Sequence, residues 1–284
     1  MAPVLRCLGS LESLAERPFV EVIVANCCGQ QVGGQLEALH PTVKVIPVNA
    51  DCSIAQAREA GIRRASGEVI AVLHERYTVT KDWVRVVLES QRADYDVVGG
   101  CVGPPGRLSS AAWAMYLSEY AHIAPPMPEG PLDFREATML PGGNVSYKRR
   151  VFGLASMEDA LWELDFHAKL FRKGARFARN PEMITEFAHP HTLREYLSER
   201  FHVSYGLAAQ RAANMEYAAR IVAALARVAL PVLLSVRISK HVFHRRKERM
   251  RLFAAFPWIL SFSLIQTVGE GAGYLFPRKT PGTE

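Results

Sequence analysis

Apolar positions along this chain follow two rhythms. Leu5, Leu8, Leu11 and Leu14 recur every third residue, which predicts a helix within Met1–Arg17. Val20–Ala25 (VEVIVA) and Val43–Val48 (VKVIPV) are short, nearly unbroken apolar runs and read as buried strands. Ser53–Leu73 (SIAQAREAGIRRASGEVIAVL) begins as an amphipathic helix, passes a glycine stop and ends in an apolar strand that opens at His74. Further on, Val145 and Tyr147 alternate with Ser146 as a strand does, and Ile221–Ile238 and Leu252–Phe276 are long apolar segments. Alternating strands and helices predict an α/β domain over residues 1–215, followed by a helical region over 216–284.

The chemistry concentrates between Leu140 and Gly174. Gly142 and Gly143 are free to take positive φ and to let a ligand approach the main chain, and Asn144 offers both a donor and an acceptor. A Pro-Gly turn before an edge strand has the same composition. Glu163 and Asp165 stand at the start of the next predicted helix, where two residues of spacing turn them about 200° apart. They cannot both enter one cleft from mid-helix, but in a first turn one can cap the helix while the other projects outward. A projecting carboxylate can act as a base.

These residues carry a resemblance. PGGNVSYKRRVF, then ELDFHAKLFRKGARF, then Phe187-Ala188-His189 resemble the catalytic half of the family-two inverting glycosyltransferases. The resemblance implies a GT-A fold, a Rossmann-like mixed sheet flanked by helices, and dependence on a nucleotide-sugar donor. It implies that the Gly142-Gly143-Asn144 turn lies beside the donor sugar and that the acidic helix supplies the general base. Glu163 matches the base position, where the family favours Asp, and Asp165 matches the acid two residues on. Upstream, Arg58, Gly61 and Gly67 match the family's helix-and-strand pattern, with Glu59 in place of its Asn.

Open α/β sheets bind ligands at the carboxyl ends of their strands, so the residues after Leu73 are expected to face the substrate. They are His74, Glu75, Arg76 and Tyr77, and Trp83 follows six positions later. This is the place of the family's DxD region, whose carboxylates hold a divalent cation, Mg or Mn, against the donor's diphosphate. Here only Glu75 is acidic. His74 is a second candidate ligand, and Arg76 is suited to pair with phosphate directly. His189 matches a family histidine that joins the metal or the diphosphate, although a loop histidine beside proline also suits plain exposure. At the front, the resemblance puts Asn26 at the nucleotide, where the family has acidic residues. It also implies an earlier strand that nothing before Leu5 supplies. A sheet without that strand has two unpaired edges, so the expectation is that the true start lies upstream.

Composition narrows the setting. At 284 residues the chain can bury a full core. Five cysteines without CxxC spacing argue against structural zinc or a disulfide framework and fit a reducing compartment. The first residues read as a helix, with no leader pattern. The net charge of +6 is concentrated in Lys240–Arg251 (KHVFHRRKERMR), between the two long apolar segments. Leu252–Phe276 is long enough to span a bilayer, whereas Ile221–Ile238 carries Arg227 and Arg237. A central arginine costs about 2.5 kcal/mol or more, and two spans would set the basic loop against the positive-inside rule. The first segment is therefore expected in the interface, with the basic run on anionic headgroups and the catalytic domain on the cytoplasmic face. Arg200 and Arg211, on a helix between sheet and tail, are placed to reach phosphates or headgroups if they are not simply solvated.

The expected function is transfer of a sugar, with inversion, to a lipid-linked or membrane-proximal glycan acceptor. The competing class is a non-catalytic GT-A-like scaffold at the membrane that has lost donor chemistry, as the single acid near the DxD position suggests. A nucleotidyltransferase requires a glycine-rich basic loop after an N-terminal strand, which the sequence lacks. Nucleic-acid binding by the basic run is disfavoured because no base-reading aromatics are interleaved with it.

Overall fold

The computed structural model describes residues 1–104, 108–157, 162–187, 192–213, 215–243 and 249–277, with the side chains of residues 162, 163 and 249 outside that description. The chain opens with α1 (Ala2–Glu12), β1 (Val22–Asn26), α2 (Gln30–Leu39), β2 (Val43–Pro47), α3 (Ile54–Arg64) and β3 (Val69–Leu73). It continues through β4 (Tyr77–Val79), α4 (Trp83–Arg92), β5 (Val97–Gly103), α5 (Ser110–Tyr120), β6 (Gly130–Pro131) and α6 (Phe134–Thr138). β7 (Asn144–Lys148), α7 (Trp162–Arg172) and β8 (Phe177–Phe187) follow. The helices α8 (Leu193–Ala212), α9 (Tyr217–Ala226), α10 (Leu230–Phe243) and α11 (Arg249–Leu275) complete it. Two compact units result: Met1–Gly103 with Ile123–His189, and Pro104–His122 with Pro190–Glu284.

The first unit is a mixed α/β structure. A six-stranded sheet runs β3-β7-β5-β8-β4, with β6 on β8, and β1 and β2 pair in parallel as a separate sheet. β5 is parallel to β8 and antiparallel to β7, and β3 is antiparallel to β7. The strands β3, β5 and β8 therefore share one carboxyl end. All seven residues of β5 are buried. Gly99 and Gly100 make this possible: a Cβ on Gly100 would stand 2.0 Å from the Met183 carbonyl oxygen, and one on Gly99 would stand 2.3 Å from Leu140.

Among the described residues β1 pairs only with β2 and β3 only with β7. Val22 and Val69 nevertheless share one apolar cluster, with Leu11, Leu14 and Trp83. Glu21 ties the two sheets further. Its carboxylate accepts hydrogen bonds from Lys44 on β2 and from the Ser66 backbone and hydroxyl just before β3. The Lys44 bond first, and the Ser66 amide second, lower the Glu21 pKa from an ordinary 4.5 to about 2. A depressed carboxylate stabilises the fold above its unfolded pKa and loses that contribution as pH falls through its folded one. The contact between the sheets is thus expected to weaken between pH 4.5 and about 2. Hydrogen exchange at the Ser66 amide tests this: its protection, measured against the rate of an unstructured amide at each pH, should fall as pH drops across that window in the wild type, and Glu21→Ala should be weakly protected throughout.

The second unit is helical. α8, which the sequence reading groups with the first domain, packs chiefly against α11 in this unit. Tyr217–Phe243 and Met250–Leu275 are both long and apolar enough to cross a membrane, with mean hydropathies of 2.0 and 1.5. Of the two arginines expected to keep the first of them out of a bilayer, Arg227 is paired, lying 2.7 Å from Glu270 of α11 and donating to the Tyr274 hydroxyl, while Arg237 is exposed.

Candidate active site

The candidate site lies where β3 ends. Beyond Leu73 the chain turns at His74, whose backbone N–H donates to the Gly143 carbonyl at 3.0 Å. A Cβ on Gly143 would stand 2.6 Å from the His74 Cβ and 3.1 Å from the Tyr77 ring. The glycine turn and the strand-end segment, 69 positions apart, are thereby held in van der Waals contact. Gly142 and Gly143 do not take the positive φ expected of them, which among the described residues is confined to Gly29, Gly130 and Gly174. What requires glycine at 143 is the close approach of His74.

Two residues expected at the donor are committed elsewhere. Asn144 is fully buried: its amide donates to the carbonyls of Cys101 and Met183, both at 2.8 Å, and its oxygen accepts from the Trp83 indole at 3.0 Å. Its side chain thus braces β7 against α4, β5 and β8, and a Cβ on Gly100 would come within 2.4 Å of it. Asn26 is buried at the end of β1, donating to the Gly29 carbonyl and accepting from the Cys28 N–H. That closes the turn into α2. Arg58 is half-buried on α3.

The charged groups at the strand end form a chain. Glu75 lies 3.1 Å from His74 Nδ1 and 3.6 Å from Arg76 Nε. His74 Nδ1 also accepts from the Arg76 backbone N–H at 3.2 Å. The two contacts ask opposite protonation states of that nitrogen. Beneath them the Cys7 thiol points at the His74 carbonyl, 3.9 Å away. Burial, and second the Glu75 charge, push its pKa up to about 12. Among the described residues no three His, Cys, Asp or Glu side chains gather as a metal site. Glu75 is half exposed and can offer one carboxylate, which suffices for a Mg or Mn that draws its other ligands from substrate phosphates and water. His189 lies outside the described residues.

The acidic helix packs on the same sheet. α7 is joined to β8 by only four residues, so it runs back antiparallel to that strand over the sheet. Its Phe166, His167 and Leu170 are fully buried, and His167 Nε2 is 2.7 Å from the Tyr147 hydroxyl. Position 163 falls on the stripe of His167 and Leu170 at helical spacing, whereas Asp165, half-buried, falls on the other side. The Glu163 side chain lies outside the described residues. Sequence spacing signalled Trp83 but not its role, and Gly100 and Met183 carried no signal at all.

A family model described as glycosyl transferase family 2 matches residues 2–153, more than half of the chain. The chain belongs to that family. It is a glycosyltransferase of the GT-A fold, working with a nucleotide-sugar donor and an acceptor. Comparison with curated proteins gives no significant match. Among solved structures, the glycosyltransferase resembles TarS residues 1–349 from S. aureus, at 12% identity with a TM-score of 0.50, over 95% of this chain and 86% of that one. It also resembles the mannosyltransferase PcManGT from Pyrobaculum calidifontis in complex with GDP-Man and Mn2+, at 13% identity with a TM-score of 0.52, over 95% and 83%. At such identities the likeness is one of fold.

Proposed function

We propose that this glycosyltransferase moves its sugar with inversion to a lipid-linked or membrane-proximal glycan acceptor, with Glu163 as general base. What supports the reading is the contact of Gly143 with His74 at the end of β3, together with an acidic first turn on α7, a helix that runs back antiparallel to β8 over the same sheet. An acceptor hydroxyl attacking the anomeric carbon in line needs a carboxylate on the far side from the leaving diphosphate. Position 163 lies on the sheet-facing stripe of α7, which favours Glu163 over Asp165. Of the Gly142-Gly143-Asn144 turn, the backbone of Gly142 and Gly143 would lie beside the donor sugar, with the buried Asn144 side chain bracing it.

The diphosphate needs compensating charge as it departs. Arg76 and Arg58 are the cationic candidates of this chain. A Mg or Mn, if bound, would be held by Glu75 with His189 and would add Lewis-acid charge; the PcManGT complex, which contains Mn2+ and GDP-Man, makes that a reasonable companion. Membrane association is supported by the two apolar helices, of whose most apolar windows only 17% and 33% is buried. We place the catalytic unit on the cytoplasmic face, with the Lys240–Arg251 run at an anionic surface.

The scaffold reading draws on the commitment of Asn26 and Asn144 to their own backbone. Calorimetry of the full chain with a panel of nucleotide sugars, with and without manganese, separates the two. The enzyme reading expects micromolar to millimolar binding of at least one donor; no binding across the panel means a scaffold.

A further inference from the structure

Two loops at one end of the β1–β2 sheet present thiols to each other. The strands run parallel, with Asn26 paired to Pro47 at the last rung, so Cys27 after β1 and Cys52 in the loop after β2 stand at the same carboxyl end. Their Sγ atoms are 2.9 Å apart, although 25 positions separate them in the chain. Both residues are half-buried, whereas Cys7 and Cys101 are buried and Cys28 is exposed. Each thiol leaves from a segment held by its own hydrogen bonds. The Asn26 side chain accepts from the Cys28 N–H and donates to the Gly29 carbonyl, and the Cys52 N–H donates to the Asn49 carbonyl. The Val48 N–H, donating to the Asn26 carbonyl, ties the two segments together. Disulfide sulfurs stand about 2.05 Å apart, so less than an ångström of approach separates this contact from a bond. Among the described residues no three His, Cys, Asp or Glu side chains gather to hold a metal, so the two thiols act as a pair.

Ligands of open α/β sheets enter at the carboxyl ends of the strands. The β1–α2 turn and the β2–α3 loop flank that end, and α3, which carries Arg58, begins at Ile54, two residues after Cys52. We propose that Cys27 and Cys52 form a reversible disulfide by exchange with a low-molecular-weight disulfide, and that the bond closes this end of β1 and β2 to the donor nucleotide. The closure, but not the disulfide, rests on the donor binding proposed above. Burial first, and the hydrogen bond with Cys52 second, push the Cys27 thiol up to about 11, so the opening attack belongs to Cys52. The Cys52 thiolate attacks one sulfur of the incoming disulfide, forming a mixed disulfide and releasing one small thiolate. Cys27 then loses its proton and attacks the Cys52 sulfur, which expels the second small thiolate. The two small thiolates take up the two protons that the cysteines lose, so the small disulfide is reduced as the protein is oxidised. In a reducing compartment such a bond is transient, as redox-sensing disulfides are.

The test is a peptide map of the full chain in detergent, equilibrated with glutathione and glutathione disulfide at ratios from reducing to oxidising and trapped with iodoacetamide. As the disulfide fraction rises, the wild type should pass from free thiols to a peptide cross-linked through Cys27 and Cys52, and dithiothreitol should restore both thiols. Calorimetry with the nucleotide-sugar panel in the same buffers should show donor affinity lower by at least about tenfold in the oxidised protein. Cys27→Ser and Cys52→Ser should each give no internal cross-link and a donor affinity that ignores the buffer. Cys28→Ser, at an exposed position, should follow the wild type. The wild-type map decides the pair even where a serine variant does not fold. Free thiols at both positions throughout, a mixed disulfide at Cys52 that goes no further, or a bond through Cys28 overturns the pair. A bond between Cys27 and Cys52 with unchanged donor affinity overturns the closure. No donor binding by the reduced protein removes the enzyme reading and the closure with it, while the map still decides the disulfide.

Discussion

Glu163→Gln is expected to lower the turnover of sugar transfer by about 10² to 10⁴ while changing donor affinity by less than about threefold. A general base acts on the acceptor hydroxyl as the transition state forms, so its loss falls on kcat and spares the donor complex. Asp165→Asn should cost less than about tenfold, because its position lies off the sheet-facing stripe of α7. Steady-state kinetics with the donor varied at saturating acceptor checks both. A large loss in Asp165→Asn with a mild one in Glu163→Gln exchanges the two roles, and normal turnover in both variants removes the mechanism.

Asn144→Ala is expected to destabilise the protein by about 3–5 kcal/mol, read from urea unfolding. The substitution leaves the buried Trp83 indole N–H and the Met183 carbonyl without the partners they have at 3.0 and 2.8 Å. It also opens a void beside Gly100, whose missing Cβ is what admits the amide. Asn144→Asp should be nearly as damaging, since a carboxylate cannot donate to two carbonyls. If Asn144→Ala instead unfolds like the wild type and loses donor binding, the side chain contacts the donor, as its place in the family turn implied.

Those two outcomes mark what could be read from the sequence. The runs at 22–26, 43–47 and 69–73 and the alternation at 144–148 are strands because apolar period and length leave few alternatives, and the acids of α7 do stand in its first turn. β5 is harder. Nothing in the apolar rhythm marks its VVGGCVG as a central strand, and only the need for Asn144 and Leu140 to pass close by explains its two glycines. The same blindness applied to Gly143, where freedom of φ was the sequence expectation and contact with His74 is the structural cause. Partnerships across 61 residues, such as Trp83 with Asn144, leave no local periodicity. Arg227 shows the converse: its sequence neighbours are apolar, and its partner Glu270 lies 43 positions away, beyond the reach of any local pattern.

The central claim is that residues at the end of β3 and the start of α7 transfer a sugar. Its most direct measurement is incorporation of labelled sugar from a panel of nucleotide donors by membranes carrying the full chain, with the anomeric configuration of the product read by NMR. The account predicts transfer from at least one donor, with inverted configuration and near-complete loss in Glu163→Gln. Transfer that retains configuration, or that persists undiminished in Glu163→Gln, would contradict it.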